Sequence, residues 1–438
     1  MTWNAIDLFI AGEKISLVLI TVLKNTNTDS NYVISGGTAI VPFLASEVKG
    51  FDASKKENLQ ISFTCTSNKT KIDYMFKNPL RKNEERTISV TLSNSISKAF
   101  KRIGPIYFTS FNKILRALHV FNAKIFSISH PVRYKGTNLE IIKMHRTFKA
   151  HQNQFERGIH IEIGNAITFQ IVRVIEINIL DNPIHNVQVK VLGFRDSHYQ
   201  KVKLIESTIT PEMLYDESGN IFYQWEFQNL PIGVIKILLR FQITRFPEYL
   251  KTNNLGSIHQ IPAEYLKYLK LSDLWNSSFE LDTIVKATID KQPKIYNIYL
   301  LLAWLVSEKI KYIRTEGRQS AKDTWITKTG DCSEYSDLLV SMLRQAGIPA
   351  RIAAGLTINY ENGMLEPDGH AWVEFYSPVR GWTAIDPTWG FLNGLGLVHI
   401  LTRYEEFGKE ISDSLCTYNY FQEPRVIINK QFVLEKIF

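Results

Sequence analysis

The apolar positions Tyr335, Leu338, Leu339, Met342, Leu343 and Ala346 recur every three or four residues, the stripe of an amphipathic helix. Gly347 supplies the stop and Pro349 prevents a restart. Gly330 and Asp331 stand at the other end, so the helix begins at about Cys332. Downstream the period changes from helix to strand. Gly369 to Tyr376 alternates like a half-buried strand, and Trp382 to Asp386 follows after Ser377-Pro378-Val379-Arg380-Gly381. The two runs predict a hairpin with a five-residue connection. If Tyr376 opposes Trp382, then Trp372 opposes Asp386, and His370 is the diagonal neighbour of Asp386 on the same face. Pro387 cannot donate to a ladder, so the second strand ends at Asp386.

The first part of the chain reads as strands. Ile15 to Leu23 is a β-branched apolar run; Leu59, Ile61, Phe63 and Cys65 alternate with polar neighbours, as do Ile88, Val90 and Leu92. Cys65 shares the parity of that apolar set and is expected in the core. Ile167, Phe169, Ile171, Ile175, Ile177 and Ile179 share one parity, and Val187, Val189 and Val191 form another strand. From about Ser257 the period becomes helical. Ile261 to Leu269 predicts a short helix with Pro262 in its first turn. Lys294 to Tyr312 predicts a longer one with Ile295, Ile298, Leu301, Leu302, Leu305 and Tyr312 inward, and Ala321 to Thr327 leads into the helix at Cys332. Arg351 to Thr357 reads as a strand and Asn359 to Asp368 as a polar loop just before His370. Arg425 to Lys430 and Gln431 to Phe438 read as closing strands, placed to return to one of the β units.

Composition changes this picture in two places. The 438 residues suit two or three domains. Twelve Lys or Arg against two acids between Lys98 and Arg157 leave that segment ten charges positive, more than the +8 of the whole chain. The segment 98–157 is therefore a candidate face for an acidic partner, although no nucleic-acid motif accompanies it and nucleic acid is not the expected ligand. The three cysteines, Cys65, Cys332 and Cys416, are far apart and form no Cys-x-x-Cys pair, so no zinc site, dithiol motif or disulfide framework is expected. Leu300 to Val306 is too short to span a bilayer, and the first residues carry no basic region ahead of an apolar core. A cytoplasmic protein without membrane association and without a cofactor is expected.

Cys332 is the candidate nucleophile. It lies near the unpaired N–H groups and the positive end of a helix dipole, conditions that favour thiolate over thiol. Together with the hairpin it makes a constellation of thiol at a helix N-terminus, imidazole on a strand and carboxylate on the next.

That order resembles the transglutaminase-like superfamily of papain-like thiol enzymes. The matching pieces are Gly330-Asp331-Cys332, Ala346-Gly347-Ile348-Pro349-Ala350-Arg351, Gly355, His370-Ala371-Trp372, Gly381-Trp382 and Asp386-Pro387-Thr388, spread over roughly residues 290–390. The resemblance implies Cys332 as nucleophile, His370 as general base then acid, and Asp386 as the group orienting His370. It implies an α+β fold with a papain-like core, the Cys-bearing helix packed on an antiparallel sheet. The expected domains are β-sandwiches at 1–150 and 151–256, a transglutaminase-like domain at 257–405 and a C-terminal β extension at 406–438. The chemistry expected is acyl transfer through a thioester on peptide-like amides. Water as acceptor makes a cysteine peptidase or amidohydrolase, which is the favoured reading. An amine makes a protein-glutamine cross-linker, although no carboxylate-rich loop of the kind calcium activation needs is present. A binding or scaffold protein with a vestigial thiol is a third reading, opposed by the intact Cys332, His370 and Asp386. The backbone N–H of Cys332 is one natural oxyanion donor. Trp325 and Trp304 are candidates for the second, and Trp372 is a candidate substrate contact.

Overall fold

The structure is a computed structural model. It describes the backbone except at 1–4, 12–13, 28, 30, 42, 67–68, 96–100, 104–105, 112–119, 127–131, 135–137, 143–144, 151–158, 164–165, 247, 251–253, 292, 315–316, 362–363, 393, 407, 409–410 and 420–422. Side chains at 5–11, 96–165, 249, 291, 359–361 and 364–365 also lie outside the described set. The basic segment 98–157, and the acidic partner expected for it, therefore fall outside the described side chains. Two compact units result, Met1–Asn165 and Ala166–Phe438.

In the first unit, Lys14–Lys24, Glu85–Ser95 and Glu47–Asp52 lie side by side in an eight-stranded sheet, and Ile34–Val41, Thr70–Leu80 and Gln60–Cys65 form a three-stranded one. Alternation decides which residues go inside: Ile15, Leu17 and Leu19 face Ile88, Val90 and Leu92 in the core. Cys65 differs from expectation. It lies at the end of an edge strand of the three-stranded sheet and is exposed.

The second unit combines two four-stranded antiparallel sheets with a helical core. We label its strands β1 (Ile167–Ile179), β2 (His185–Leu192), β3 (Gln200–Ser207), β4 (Glu212–Tyr215), β5 (Ile221–Phe227) and β6 (Gly233–Arg245). They are followed by helices α1 (Phe279–Lys291), α2 (Ile295–Lys309), α3 (Ala321–Thr327) and α4 (Cys332–Gln345). Then come β7 (Ala350–Glu361), β8 (Met364–Ser377), β9 (Gly381–Ile385), β10 (His399–Glu405), β11 (Ser414–Asn419) and β12 (Val426–Ile437). The sheets run β3-β6-β1-β12 and β4-β5-β2-β11, so the last two strands of the chain complete sheets begun some 240 residues earlier. Arg173 breaks the apolar parity of β1 yet is buried, since Asp413 takes its guanidinium at 2.6 Å.

The sheet β9-β8-β7-β10 carries the rest, and α4 packs on it. The hairpin register pairs Tyr376 with Trp382 and Ser377 with Gly381, the pairing the turn and alternation predict. Gly381 turns the corner at φ +82°. The polar run 359–368 is not a loop. β7 and β8 stay paired out to Glu361 and Met364, so these residues prolong the hairpin. Gly355 sits where β10 crosses closely; a Cβ there would lie 2.0 Å from the Ile400 carbonyl oxygen, which excludes any side chain.

Two helical expectations shift. The inward stripe of α2 is Ile295, Ile298, Tyr299, Leu302, Ala303 and Val306, while Leu301 is exposed. Tyr312 lies beyond the helix, in a two-residue parallel pairing with Thr329–Gly330, and is half exposed. Second, α4 is buried all round rather than on one face. Its polar side is satisfied inside the protein: Asp337 accepts from Trp275 Nε1 at 2.6 Å, Ser341 donates to Asn276 O at 2.8 Å and Arg344 donates to Ala350 O at 2.8 Å. Among the described residues no helix is long and apolar enough to cross a membrane.

Candidate active site

The N-terminus of α4 is built by a capping box. The Asp331 carboxylate accepts from Ser333 N at 2.9 Å and Glu334 Oε2 accepts from Asp331 N at 2.8 Å. These bonds hold the first turn in place, and Cys332 is its first residue. Cys332 is partly buried and lines a cavity of about 230 Å³ together with His370.

His370 projects from β8 and Asp386 follows β9, as the hairpin register requires. Oδ2 of Asp386 lies 2.9 Å from His370 Nε2. The same oxygen lies 3.0 Å from Nε2 of His399, on β10. A carboxylate only accepts, so each Nε2 carries its proton. The other oxygen, Oδ1, accepts from the backbone N–H groups of Thr388 and Trp389 at 2.8 and 3.1 Å. Asp386 is fully buried with four donors around it. With Nε2 committed, Nδ1 of His370 is the ring atom left to face Cys332, which lines the same cavity and favours the charged ring.

Burial works against charge on both partners. On His370 it is overcome by the charge and hydrogen bond of Asp386, then by Cys332, and the imidazole is raised to about 10. Burial would raise Asp386, but the charge and hydrogen bond of His370, then those of His399, hold it well below the usual carboxylate range. His370, Asp386 and His399 are close enough to be read as a metal cluster. Their contacts share one oxygen at ordinary hydrogen-bond length, the pattern of two donors on one acceptor rather than three ligands around an ion.

The structure thus brings Cys332, His370 and Asp386 together. It does not bring the three tryptophans to the cavity lining. Trp304 is on the outer side of α2, 37% exposed. Trp325 is buried in the helical core. Trp372 shares the His370 face of β8 but lies one step deeper, fully buried under Tyr199, to whose hydroxyl its Nε1 donates at 3.4 Å. The sequence reading passed over His399, Arg318, Arg403 and Glu405. A histidine in the apolar run Val398-His399-Ile400 carries no local sign of chemistry. Only the pairing of β10 with β7, which sets His399 opposite Thr357, delivers it to Asp386.

The protein family described as the transglutaminase-like superfamily matches residues 282–387. A protein-glutamine gamma-glutamyltransferase of Pseudomonas aeruginosa is 41% identical over 73 residues, 14% of this chain and 10% of that protein. The Bacillus subtilis protein YebA is 40% identical over 77 residues, 15% and 10% of the two chains. The chain thus spans about a tenth of the length of these curated relatives. Among solved structures, a proposed cysteine protease from Cytophaga hutchinsonii aligns with TM-score 0.45 and 17% identity, over 62% of this chain and 92% of that one. The periplasmic domain of TgpA from Pseudomonas aeruginosa aligns with TM-score 0.30 and 18% identity, over 51% and 90%. With the Cys-bearing helix and the His and Asp strands lying in the same order within the matched segment, residues 282–387 are a transglutaminase-like domain.

Proposed function

We propose that this protein cleaves or transfers peptide-like amide bonds through Cys332, His370 and Asp386, with hydrolysis the principal outcome. The observation that carries this reading is that Cys332 and His370 line one cavity while Asp386 holds the His370 ring at 2.9 Å. In the first half-reaction the Cys332 sulfur attacks the carbonyl carbon, the C–N bond breaks, and the His370 proton passes to the departing amine. The thioester is left on Cys332. Water then attacks it and gives its proton to His370, the C–S bond breaks, the acid is released, and the starting Cys332 and protonated His370 are restored. Asp386 fixes the His370 ring so that Nδ1 faces sulfur, and His399 acts as a positioning residue on Asp386. The free N–H at the first residue of α4 supplies one oxyanion donor.

One observation favours a second reading, transamidation. The 73-residue match is to a protein described as a protein-glutamine gamma-glutamyltransferase. In that case an amine replaces water in the second half-reaction and the residue roles are unchanged. A glutamine-containing peptide incubated with and without a labelled primary amine separates the two. Release of free acid outrunning amine incorporation is expected; the opposite order would make cross-linking the activity.

The pH dependence follows from His370. Its folded value of about 10 lies above the ordinary 6.5, so the protonated ring is favoured in the folded state. Its stabilisation is fully present below pH 6.5 and is lost as pH rises through about 10. The leaving group also needs that proton. Turnover is therefore expected to persist well above neutrality, with the alkaline limb of the kcat–pH profile near 10 rather than 6.5. A limb near neutrality would remove the Asp386-held imidazolium from the mechanism.

A further inference from the structure

One wall of the Cys332 cavity is charged. Asp337, Arg318, Glu405 and Arg403 form a row of alternating sign. Arg318 donates Nε and Nη2 to the two oxygens of Asp337 at 2.7 and 2.9 Å, and Nη1 to Glu405 Oε2 at 2.8 Å. Arg403 donates Nε to the other Glu405 oxygen at 2.9 Å. The charges sum to zero, but they are layered. The side chains of Asp337 and Glu405 are 0% and 2% exposed, whereas those of Arg318 and Arg403 are 14% and 20% exposed. An occupant of the cavity therefore meets the cations first.

The strand register puts them there. Arg403 pairs with Ala354 and Glu405 with Ile352 on β7, and Ala354 and Ile352 face the core beneath α4. β10 thus turns these two side chains toward the helix that carries the thiol, and both line the cavity with Cys332. The two arginines differ in what they have left. All three nitrogens of Arg318 are engaged. Arg403 has committed only Nε, and its two terminal nitrogens have no hydrogen-bond partner among the described residues. The Arg403 side chain is partly exposed, and its open fork matches a carboxylate in two-point geometry.

We propose that Arg403 is a carboxylate-binding subsite of this cavity, so that the amide handled by Cys332 has a carboxylate next to it. That carboxylate is either an acidic side chain or a free α-carboxylate of the peptide. The subsite rests on the thiol chemistry proposed above. It selects acidic acyl donors or leaving peptides, which the triad alone does not.

The test compares alkylation of Cys332 by iodoacetate and iodoacetamide, reagents that differ by one negative charge. Their rate ratio at one pH cancels the thiolate fraction. The ratio is expected to exceed that of a free small thiol, to fall about tenfold in Arg403→Gln and to recover in Arg403→Lys. The unaltered protein supplies a second readout through protection of Cys332 from iodoacetamide. Acetyl-glutamate amide protects if the side-chain carboxylate is the group recognised, and acetyl-glutamine with a free terminus protects if the α-carboxylate is. Acetyl-glutamine amide, which is neutral, is the control. An unchanged ratio in Arg403→Gln, or equal protection by all three compounds, overturns the subsite and leaves the thiol reading standing. A Cys332 no more reactive than an ordinary thiol toward either reagent overturns both.

Discussion

Cys332→Ala is expected to abolish turnover while leaving the fold in place. Removal of a thiol nucleophile eliminates the covalent intermediate, and the loss in kcat should be roughly five to six orders of magnitude, judged by other triad enzymes. The cost to stability should be small for three separate reasons. Cys332 is partly buried and touches the core only at its edge. Alanine is favourable in a helix. The capping box that secures this turn uses Asp331 and Glu334, neither of which is changed. Thermal unfolding of the variant should therefore match wild type within about 1 kcal/mol. Parallel labelling should mark Cys332 well ahead of Cys416, whose thiol is pushed up by burial. Retained turnover in the alanine variant would refute the mechanism outright.

Asp386 is expected to be a position where activity and stability are damaged together. Asp386→Asn keeps the shape and removes the charge that holds His370 protonated. An amide has only one accepting oxygen, so its NH2 must face either the two imidazoles at Oδ2 or the two backbone N–H groups at Oδ1, donor against donor, and the His370 ring loses its orientation. The expected fall in kcat is roughly ten-thousand-fold, the scale seen when a triad carboxylate is neutralised elsewhere. Asp386→Ala goes further. It leaves four donors without an acceptor: the Nε2 groups of His370 and His399 and the backbone N–H groups of Thr388 and Trp389. At about 1–3 kcal/mol for each buried unsatisfied group, a loss of several kcal/mol is expected even after partial relaxation. The pH sign is the reverse of that for His370. Because Asp386 lies below its ordinary 3.8, its contribution is present above that pH and is lost as pH falls through the depressed value. Chemical denaturation of wild type and Asp386→Ala at pH 7 and pH 3 should show the gap narrowing on acidification. A gap that does not change would mean that this carboxylate is not held ionised by its two histidines.

Much of the site was legible along the chain because its determinants are local. A helix start, a turn and a strand parity are written within a few residues. Gly330 and Asp331 announce the helix start, Gly347 and Pro349 announce the stop, and Gly381 fixes the hairpin so that His370 and Asp386 share a face. The polar run 359–368 misled for the same local reason. Its composition is that of a loop, but strand pairing on the long hairpin outweighs composition when each residue has a partner opposite it.

Periodicity reports which residues are apolar, not how many sides of an element are covered. The α4 pattern describes one apolar face. The tertiary structure buries the other face as well, with Trp275 and Asn276, Arg318, and Ala350 arriving from three segments to bond its polar groups. The same holds for the second histidine on Asp386 and for the charged wall of the cavity. His399, Arg403 and Glu405 are brought in by a single strand pairing with β7.

The sequence by itself determined the identity and order of the three groups proposed to react, since helix caps and strand alternation act over only a few residues. The tertiary structure decided which groups tune them. A proton held on His370 depends on distances of a few ångströms between segments that are remote in the chain, and those distances are set only when the sheet closes.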